Sequence, residues 1–364
     1  MEGADLGVSE LFPIPDERVD ERDTMFARSA RRPGTGPYGD YYAREPGRKA
    51  VDDRIRSLPE LGRPGGRYYD PGISPEADHL FESIEGIQPD EERVASWSRA
   101  LSSATDPTGT LRTLCLSLGA VSVGAAPVDP AFVYTHKGRL DEDYGEPVRL
   151  QHPGALVFLL EMDHETMQEA PRSAVLLESA RQYYRAAEIG KTAAAAIRAA
   201  GYDAKAHYDA HYDVILPPLA IRAGLGELGR HNILIAPRFG TRVRIGAVTT
   251  DLPLRHGSPV DLGVRSFCEV CSKCARSCPP GALSSGRPAP VRGVEKWPTD
   301  TERCYAYWRA MGTDCGICMT VCPFSHPDGP FHNLVRWVVR TLPFTHRLLS
   351  WFDDLVYGRA WDRS

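Results

Sequence analysis

No run in this 364-residue sequence is apolar for long enough to span a bilayer. The opening stretch MEGADLGVSELFPIPDERVDERDT is acidic and polar, without the apolar core of an export signal. A membrane partner is therefore not expected, and the expected location is cytoplasmic. Arg31-Arg32 does not alter this, because PGTGPYGDYY follows where a twin-arginine signal needs an apolar segment. Positive charge is not in excess either: the formal net charge is −5, which gives no general attraction for nucleic acid. Cysteine is scarce and confined. Of nine, eight fall between Cys268 and Cys322, and a chain this long needs no disulfide scaffold, so metal or redox chemistry is the expected use. Cys115 stands apart in the apolar segment TLRTLCLSLGAV and reads as a small buried hydrophobe.

What remains is a hydrophobic content of 42%, enough for one large or two medium domains, with 33 Gly and 30 Pro supplying irregular connections. Four zones emerge. Residues 1–95 are rich in Pro, Gly, Asp and Arg and read as an extended arm packing on the core. In 96–260, helical patterns alternate with short apolar runs such as AVSVGAAPV, GALVFLLEM, NILIAPRF and VRIGAVTTDL, which is α/β or α+β patterning. Residues 261–330 hold the cysteines, and 331–364 form an amphipathic helical segment expected to return to the core.

Cys268, Cys271, Cys274 and Cys278 follow C-x2-C-x2-C-x3-C-P, in which three thiolates surround one iron–sulfur cube and the fourth serves another. A second set is therefore required, and Cys304, Cys315, Cys318 and Cys322, the last followed by Pro323, provide it. By the crossed pattern, one [4Fe–4S] cluster takes Cys268, Cys271, Cys274 and Cys322, and the other takes Cys278, Cys304, Cys315 and Cys318. Structural zinc prefers paired knuckles separated by a longer loop, which three cysteines at successive short steps do not match. Two clusters form an electron relay and leave the acceptor to be found in the core.

The segment 171–200 reads as a long helix, with Pro171 in its first turn and Gly201 just past its end. Leu176, Ala180, Tyr183, Ala187, Gly190, Ala194 and Ile197 share one mostly small stripe, which lets a backbone or a flat cofactor approach. Tyr183 is the hydroxyl on that stripe, and from periodicity alone it reads as a core aromatic. Further on, Gly224, Gly226 and Gly229 are not preceded by a strand, so a dinucleotide fingerprint is rejected. These glycines permit close backbone approach, and Arg238, Arg242 and Arg244 bring fixed positive charge nearby.

RAGLGELGRHNILIAPRFGTRVRIGAVTTDLPL, then VRSFCEVCSKCARSCPPGAL, then the displaced Cys304 in DTERCYAYWRAMGTDCGICMTVCPF, resemble the catalytic subunit of the corrinoid-dependent reductive dehalogenases. The arm ERDTMFARSARRPGTGPYGDYY and the ending DDLVYG extend the resemblance over nearly the whole chain. The resemblance implies a nitroreductase-like core binding base-off cobalamin, an inserted ferredoxin-like module with two [4Fe–4S] clusters, and removal of halide from a small organohalide, halogenated phenols included. It also implies Tyr183 as proton donor, with Tyr184 next in register, and Arg244 as the cation stabilising its phenolate. Gly224, Gly226, Gly229, Arg230 and Asn232 become candidate cobalamin contacts, and Lys205, His207, Asp209 and His211 candidate third polar groups of the pocket. The chain carries no flavin or ferredoxin reductase region, so an external ferredoxin or reductase is the expected electron donor. Epoxyqueuosine reductase, a related tRNA-modifying enzyme, and a non-catalytic electron-transfer or corrinoid-handling protein are the alternatives.

Overall fold

The computed structural model describes residues 14–358; residues 1–13 of the expected arm and 359–364 of the expected C-terminal segment lie outside the described residues. The arm is helical rather than extended, with α1 (Met25–Ala30), α2 (Gly36–Arg44) and α3 (Lys49–Arg56) joined by short connections and α4 (Ser74–Ser83) following the irregular stretch 57–73. Local capping explains this, since the Thr24 and Thr35 hydroxyls accept from backbone N–H groups of α1 and α2. The arm is held by apolar packing of Ile73, Ala77 and Leu80 on Leu176, Leu177 and Ala180, and by charge. Arg28, 2% exposed, pairs with fully buried Asp52 and with Glu302, while Tyr42 donates to Asp52 at 2.9 Å. Arg309 in turn reaches the carbonyls of Arg56, Leu58 and Pro59, so the arm clasps the cysteine region as well as the core.

The core follows with α5 (Glu91–Ser102), α6 (Pro107–Ser117), β1 (Ser122–Pro127), β2 (Gly154–Glu161), α7 (His164–Gln168), α8 (Ser173–Ala199), β3 (Ala204–His207), α9 (Leu216–Arg222), β4 (Glu227–Leu228), β5 (Leu234–Ile235) and β6 (Val243–Thr250). Four of these strands form one sheet in the order β1-β2-β6-β3, every pair antiparallel, which makes the core α+β. The run NILIAPRF contributes only the short ribbon strand β5. Helix α8 begins two residues after Pro171 and ends before Gly201, whose φ of +95° is the left-handed conformation expected past a helix end. The small residues of its stripe serve close packing on the sheet: a Cβ on Gly190 would touch Ala206 and Phe158. Ala186, Ala193, Ala194 and Ile197 join Phe158, Leu160 and Val248 in the same buried cluster, and Cys115 lies there too, as expected. His207 is buried on β3, bonded to the Thr249 hydroxyl, and burial lowers it to about 3.

The cysteine region comprises α10 (Val264–Cys271), α11 (Lys273–Ser277), the hairpin β7 (Ala289–Val291) and β8 (Val294–Lys296), α12 (Thr301–Met311) and α13 (Ile317–Thr320). Two further helices, α14 (Pro330–Thr341) and α15 (His346–Tyr357), complete the chain. These last two pack on the cysteine region rather than returning to the core sheet. Val339 and Leu349 join Phe267, Cys268 and Cys271, and Lys273 is buried against Asp353 at 2.5 Å. The amphipathic pattern predicted the helices correctly; the apolar neighbours they found were those around the thiols. Among the described residues no helix is long and apolar enough to cross a membrane.

Candidate active site

All nine cysteines are free, and eight gather in two adjoining sets. Ser272, with a φ of 47°, breaks α10 from α11 and turns the chain so that Cys268, Cys271 and Cys274 converge. Cys322, the last of the second motif, lies among those three. Cys278 leaves the first motif and neighbours Cys304, Cys315 and Cys318. These neighbours follow the crossed order, with Cys274 of the first set also beside Cys318 of the second. Burial pushes the Cys274 and Cys315 thiols up to about 12 and Cys304 up to about 11. Zinc would draw four thiolates to about 2.3 Å from one point. Among the described residues no three or more His, Cys, Asp or Glu side chains are disposed to hold a single ion.

The core meets this region through β6 and the loop before it. Thr241 bonds the Ser325 hydroxyl at 2.6 Å, and Arg242, 1% exposed, spans Glu161, the Met162 carbonyl and the Ser325 carbonyl at 2.8–2.9 Å. Arg238 is solvated and paired with Asp328. Of the three arginines singled out from sequence, Arg244 alone reaches Tyr183: its guanidinium carbon lies 4.9 Å from the ring centroid. The same guanidinium donates to Ser179 at 2.6 Å and to Asp314 at 2.9 Å, and Ser179 also bonds Asp314 directly. Ser179 lies one helical turn before Tyr183 on α8, and Asp314 immediately precedes Cys315. Cys315 has a φ of 60°, a left-handed conformation costing a non-glycine residue roughly 1–2 kcal/mol, and it swings Asp314 toward the core.

Burial raises the Tyr183 phenol, and Arg244 opposes that rise. Asp209 and Asp314 push it further up, so Tyr183 carries its proton at neutral pH. Burial would lower the Arg244 guanidinium, but Tyr183, Asp314 and Asp209 hold it above its ordinary value. Tyr183 is half-buried on α8. Arg244 Nε and Asp314 Oδ1 are buried without hydrogen-bond partners.

The four candidates for a third polar group separate cleanly. Lys205 pairs with Asp213 at 2.5 Å, His207 belongs to the sheet, and His211 stacks on Tyr208 with ring centroids 5.1 Å apart. Asp209 is the member whose charge acts on both Tyr183 and Arg244. The candidate cobalamin contacts sit in the β4–β5 ribbon and its approach. A Cβ at Gly224 would meet the Ser258 carbonyl and one at Gly229 would meet His231 and Ile235, so packing within the chain accounts for them; Gly226 likewise abuts Ile235. Arg230 donates to the carbonyls of Cys268, Ser284 and Gly286 and stacks on Trp297, joining core to cysteine region. Asn232 donates to Trp297 and Thr299 at 2.7 Å, yet its Oδ1, like His231 Nε2, is buried and unpartnered.

The antiparallel α+β core is joined to a region of two thiol sets, and within it residues 267–326 match the 4Fe-4S dicluster domain family. The chain is 31% identical over 290 residues to the tetrachloroethene reductive dehalogenase of Desulfitobacterium hafniense, covering 76% of this chain and 51% of that protein. It superposes on the catabolic reductive dehalogenase NpRdhA in complex with 3-bromo-4-hydroxybenzoic acid with a TM-score of 0.74 and 27% identity, over 95% of this chain and 48% of that one. A second reductive dehalogenase structure, described as suggesting a mechanism for B12-dependent dehalogenation, gives a TM-score of 0.72 at 26% identity, over 94% and 46% of the two chains. Epoxyqueuosine reductase of Aliivibrio fischeri is 29% identical over a shorter 163 residues, 40% of this chain and 38% of that protein. The chain is a relative of the reductive dehalogenases in sequence and fold. It spans about half the length of the relatives it matches.

Proposed function

We propose that this chain carries the catalytic centre of a cobalamin-dependent reductive dehalogenase, with Tyr183 as proton donor and Arg244 as the cation that stabilises its phenolate. The observation behind this reading is the single hydrogen-bonded network in which Arg244, lying over Tyr183, bonds Asp314 beside Cys315. The proton donor and the electron relay are thus joined through adjacent residues. Bound cobalamin would supply the reducible cobalt at which the halide leaves. His231 Nε2 and Asn232 Oδ1, buried and unpartnered, are hydrogen-bonding groups fit for the amides of such a cofactor, on a ribbon kept tight by Gly224, Gly226 and Gly229 with Arg230 anchoring it.

The balance is simple. Two electrons and one proton replace a carbon–halogen bond with a carbon–hydrogen bond and release halide; Cys268, Cys271, Cys274 and Cys322, and Cys278, Cys304, Cys315 and Cys318, would hold the two clusters that supply the electrons. Tyr183 gives the proton from its hydroxyl, and Arg244 holds the negative charge left on that oxygen. A phenol is a weak acid at neutral pH, and an adjacent permanent cation lowers the cost of its ionisation where water is scarce. Ser179 and Asp314 orient Arg244 and touch no reacting atom. The electrons come from an external ferredoxin or reductase, and the substrate is a small organohalide, halogenated phenols included.

The test is anaerobic reconstitution with iron, sulfide and cobalamin, reduction by a low-potential dye, and measurement of halide from a panel of halogenated phenols and alkenes. Cobalamin-dependent halide release supports the reading. No halide from any member, with both clusters and cobalt verified, contradicts it and turns attention to an epoxyqueuosine-bearing tRNA or to electron transfer without turnover.

A further inference from the structure

We infer that Arg230 tunes the electron relay: its buried charge raises the reduction potential of the first cluster, at Cys268, Cys271, Cys274 and Cys322, above that of the second. One electron delivered to the protein then rests on the first cluster. The second, whose Cys315 adjoins Asp314 of the Arg244 network, is filled only by the next. The inference deepens the reading above by ordering the relay, but it rests only on the presence of two clusters.

Arg230 follows Gly229 in the turn between β4 and β5, and its side chain crosses into the cysteine region, where it is 2% exposed. Its Nε and Nη2 donate to the Cys268 carbonyl at 3.2 and 2.8 Å. Its Nη1 donates to the carbonyls of Ser284 and Gly286 at 2.9 and 3.0 Å, and the guanidinium lies 4.6 Å from the Trp297 ring centroid. Every one of these partners is neutral. A permanent cation taken out of water is costly unless an anion answers it, and carbonyl dipoles and an indole face answer only part of that cost. A [4Fe–4S] cube held by four thiolates is net negative, and one of those thiolates belongs to the residue whose carbonyl Arg230 grips. The cluster is the anion this buried cation lacks.

Other charges beside the thiols are already answered within the protein. Lys273, between Cys271 and Cys274 in sequence, pairs with Asp353 at 2.5 Å, and Arg276 pairs with Asp354 at 3.0 Å. On the side of the second set, Asp314 pairs with Arg244 at 2.9 Å and Asp300 with Arg303 at 3.2 Å. Arg230 is thus the charge left over, and it stands at the first set, where it also bears on the Cys268 and Cys274 thiols. Reduction adds an electron, so a fixed cation nearby favours the reduced cluster and lifts its potential. The effect falls with distance and is little screened in a buried site, so the cluster in contact gains more than its neighbour.

The experiment uses the full chain reconstituted with iron and sulfide alone, reduced stepwise with a low-potential dye and followed by electron paramagnetic resonance. Each cluster takes one electron from the dye. The first-set signal is identified as the one lost in Cys271→Ala. In the unaltered protein it is expected at the higher potential; its appearance together with or below the second-set signal overturns the proposal without recourse to a variant at Arg230. At matched cluster content, Arg230→Gln is expected to weaken reduction of the first cluster about tenfold, a downward shift of about 59 mV for one electron, while the second moves by less. Arg230→Lys, which keeps the charge and loses the fork, is expected to hold most of the unaltered value. Potentials unchanged in Arg230→Gln, or both clusters shifted equally, make Arg230 a structural anchor and overturn the proposal. Halide release plays no part, so a protein that dehalogenates nothing can still uphold the assignment, and one that releases halide can still fail it.

Discussion

The two regions that meet at this site are built on opposite principles. In the cysteine region eight side chains of one type gather in two sets, and their spacing along the chain nearly dictates their grouping in space. In the core, Tyr183 and Arg244 come from a helix and a strand 61 residues apart, which meet because the helix packs on the antiparallel sheet that contains the strand. A ligand set can be written locally; a proton-donor pair has to be folded into existence. The bridge between the two is a single step of sequence, Asp314 to Cys315, which links the Arg244 network to a cluster-binding thiol.

The largest expected effect breaks the cysteine side. Cys278→Ala should remove the cluster of the second set and Cys322→Ala that of the first, although each residue belongs by sequence to the other motif. Iron analysis and electron paramagnetic resonance should show about half the iron lost in each case, with different signals surviving. Loss of the first-set signal in Cys278→Ala would refute the crossed grouping. On the core side, Arg244→Gln should lower kcat by about ten- to a hundredfold with little change in KM, because the charge it stabilises develops during proton transfer. An equal loss in KM would make Arg244 a binding residue instead.

Smaller effects probe what holds the regions together. Arg28→Ala leaves Asp52 buried without its cation and should destabilise the fold by about 3–5 kcal/mol, read by denaturant unfolding. An arm that merely rests on the surface would lose far less. His207 is held neutral by burial, its folded value near 3 lying below the ordinary 6.5, so its contribution to stability is complete above 6.5 and is lost as pH falls toward 3. The free energy of unfolding should fall over that range by up to about 1.4 kcal/mol per pH unit for this group, lowering the melting temperature with it, and His207→Gln should flatten the decline.

These contrasts also explain what could be read in advance. Cysteine spacing revealed the ligand sets, and helical periodicity revealed α8 and the face that carries Tyr183. The stripe of small residues was legible as a close approach, but whether a cofactor or the sheet approached was decided by Phe158 and Ala206 on strands elsewhere in the chain. Charged clasps such as Arg28 with Asp52 leave no periodic trace, so the arm read as extended. Asp314 had a signal in hindsight, a carboxylate abutting a cluster cysteine, whereas Ser179 is one small residue in a helix. Its meaning comes from neighbours more than 60 residues away.

The measurement that tests the account most directly is halide release by the reconstituted protein compared with Tyr183→Phe, at matched cluster and cobalamin content. The phenylalanine keeps the ring under Arg244 and removes only the transferable proton. The account predicts a fall in kcat of about a hundredfold or more with substrate binding retained. A variant that turns over at nearly the unaltered rate would show that the proton comes from elsewhere and that the pairing of Tyr183 with Arg244 is structural.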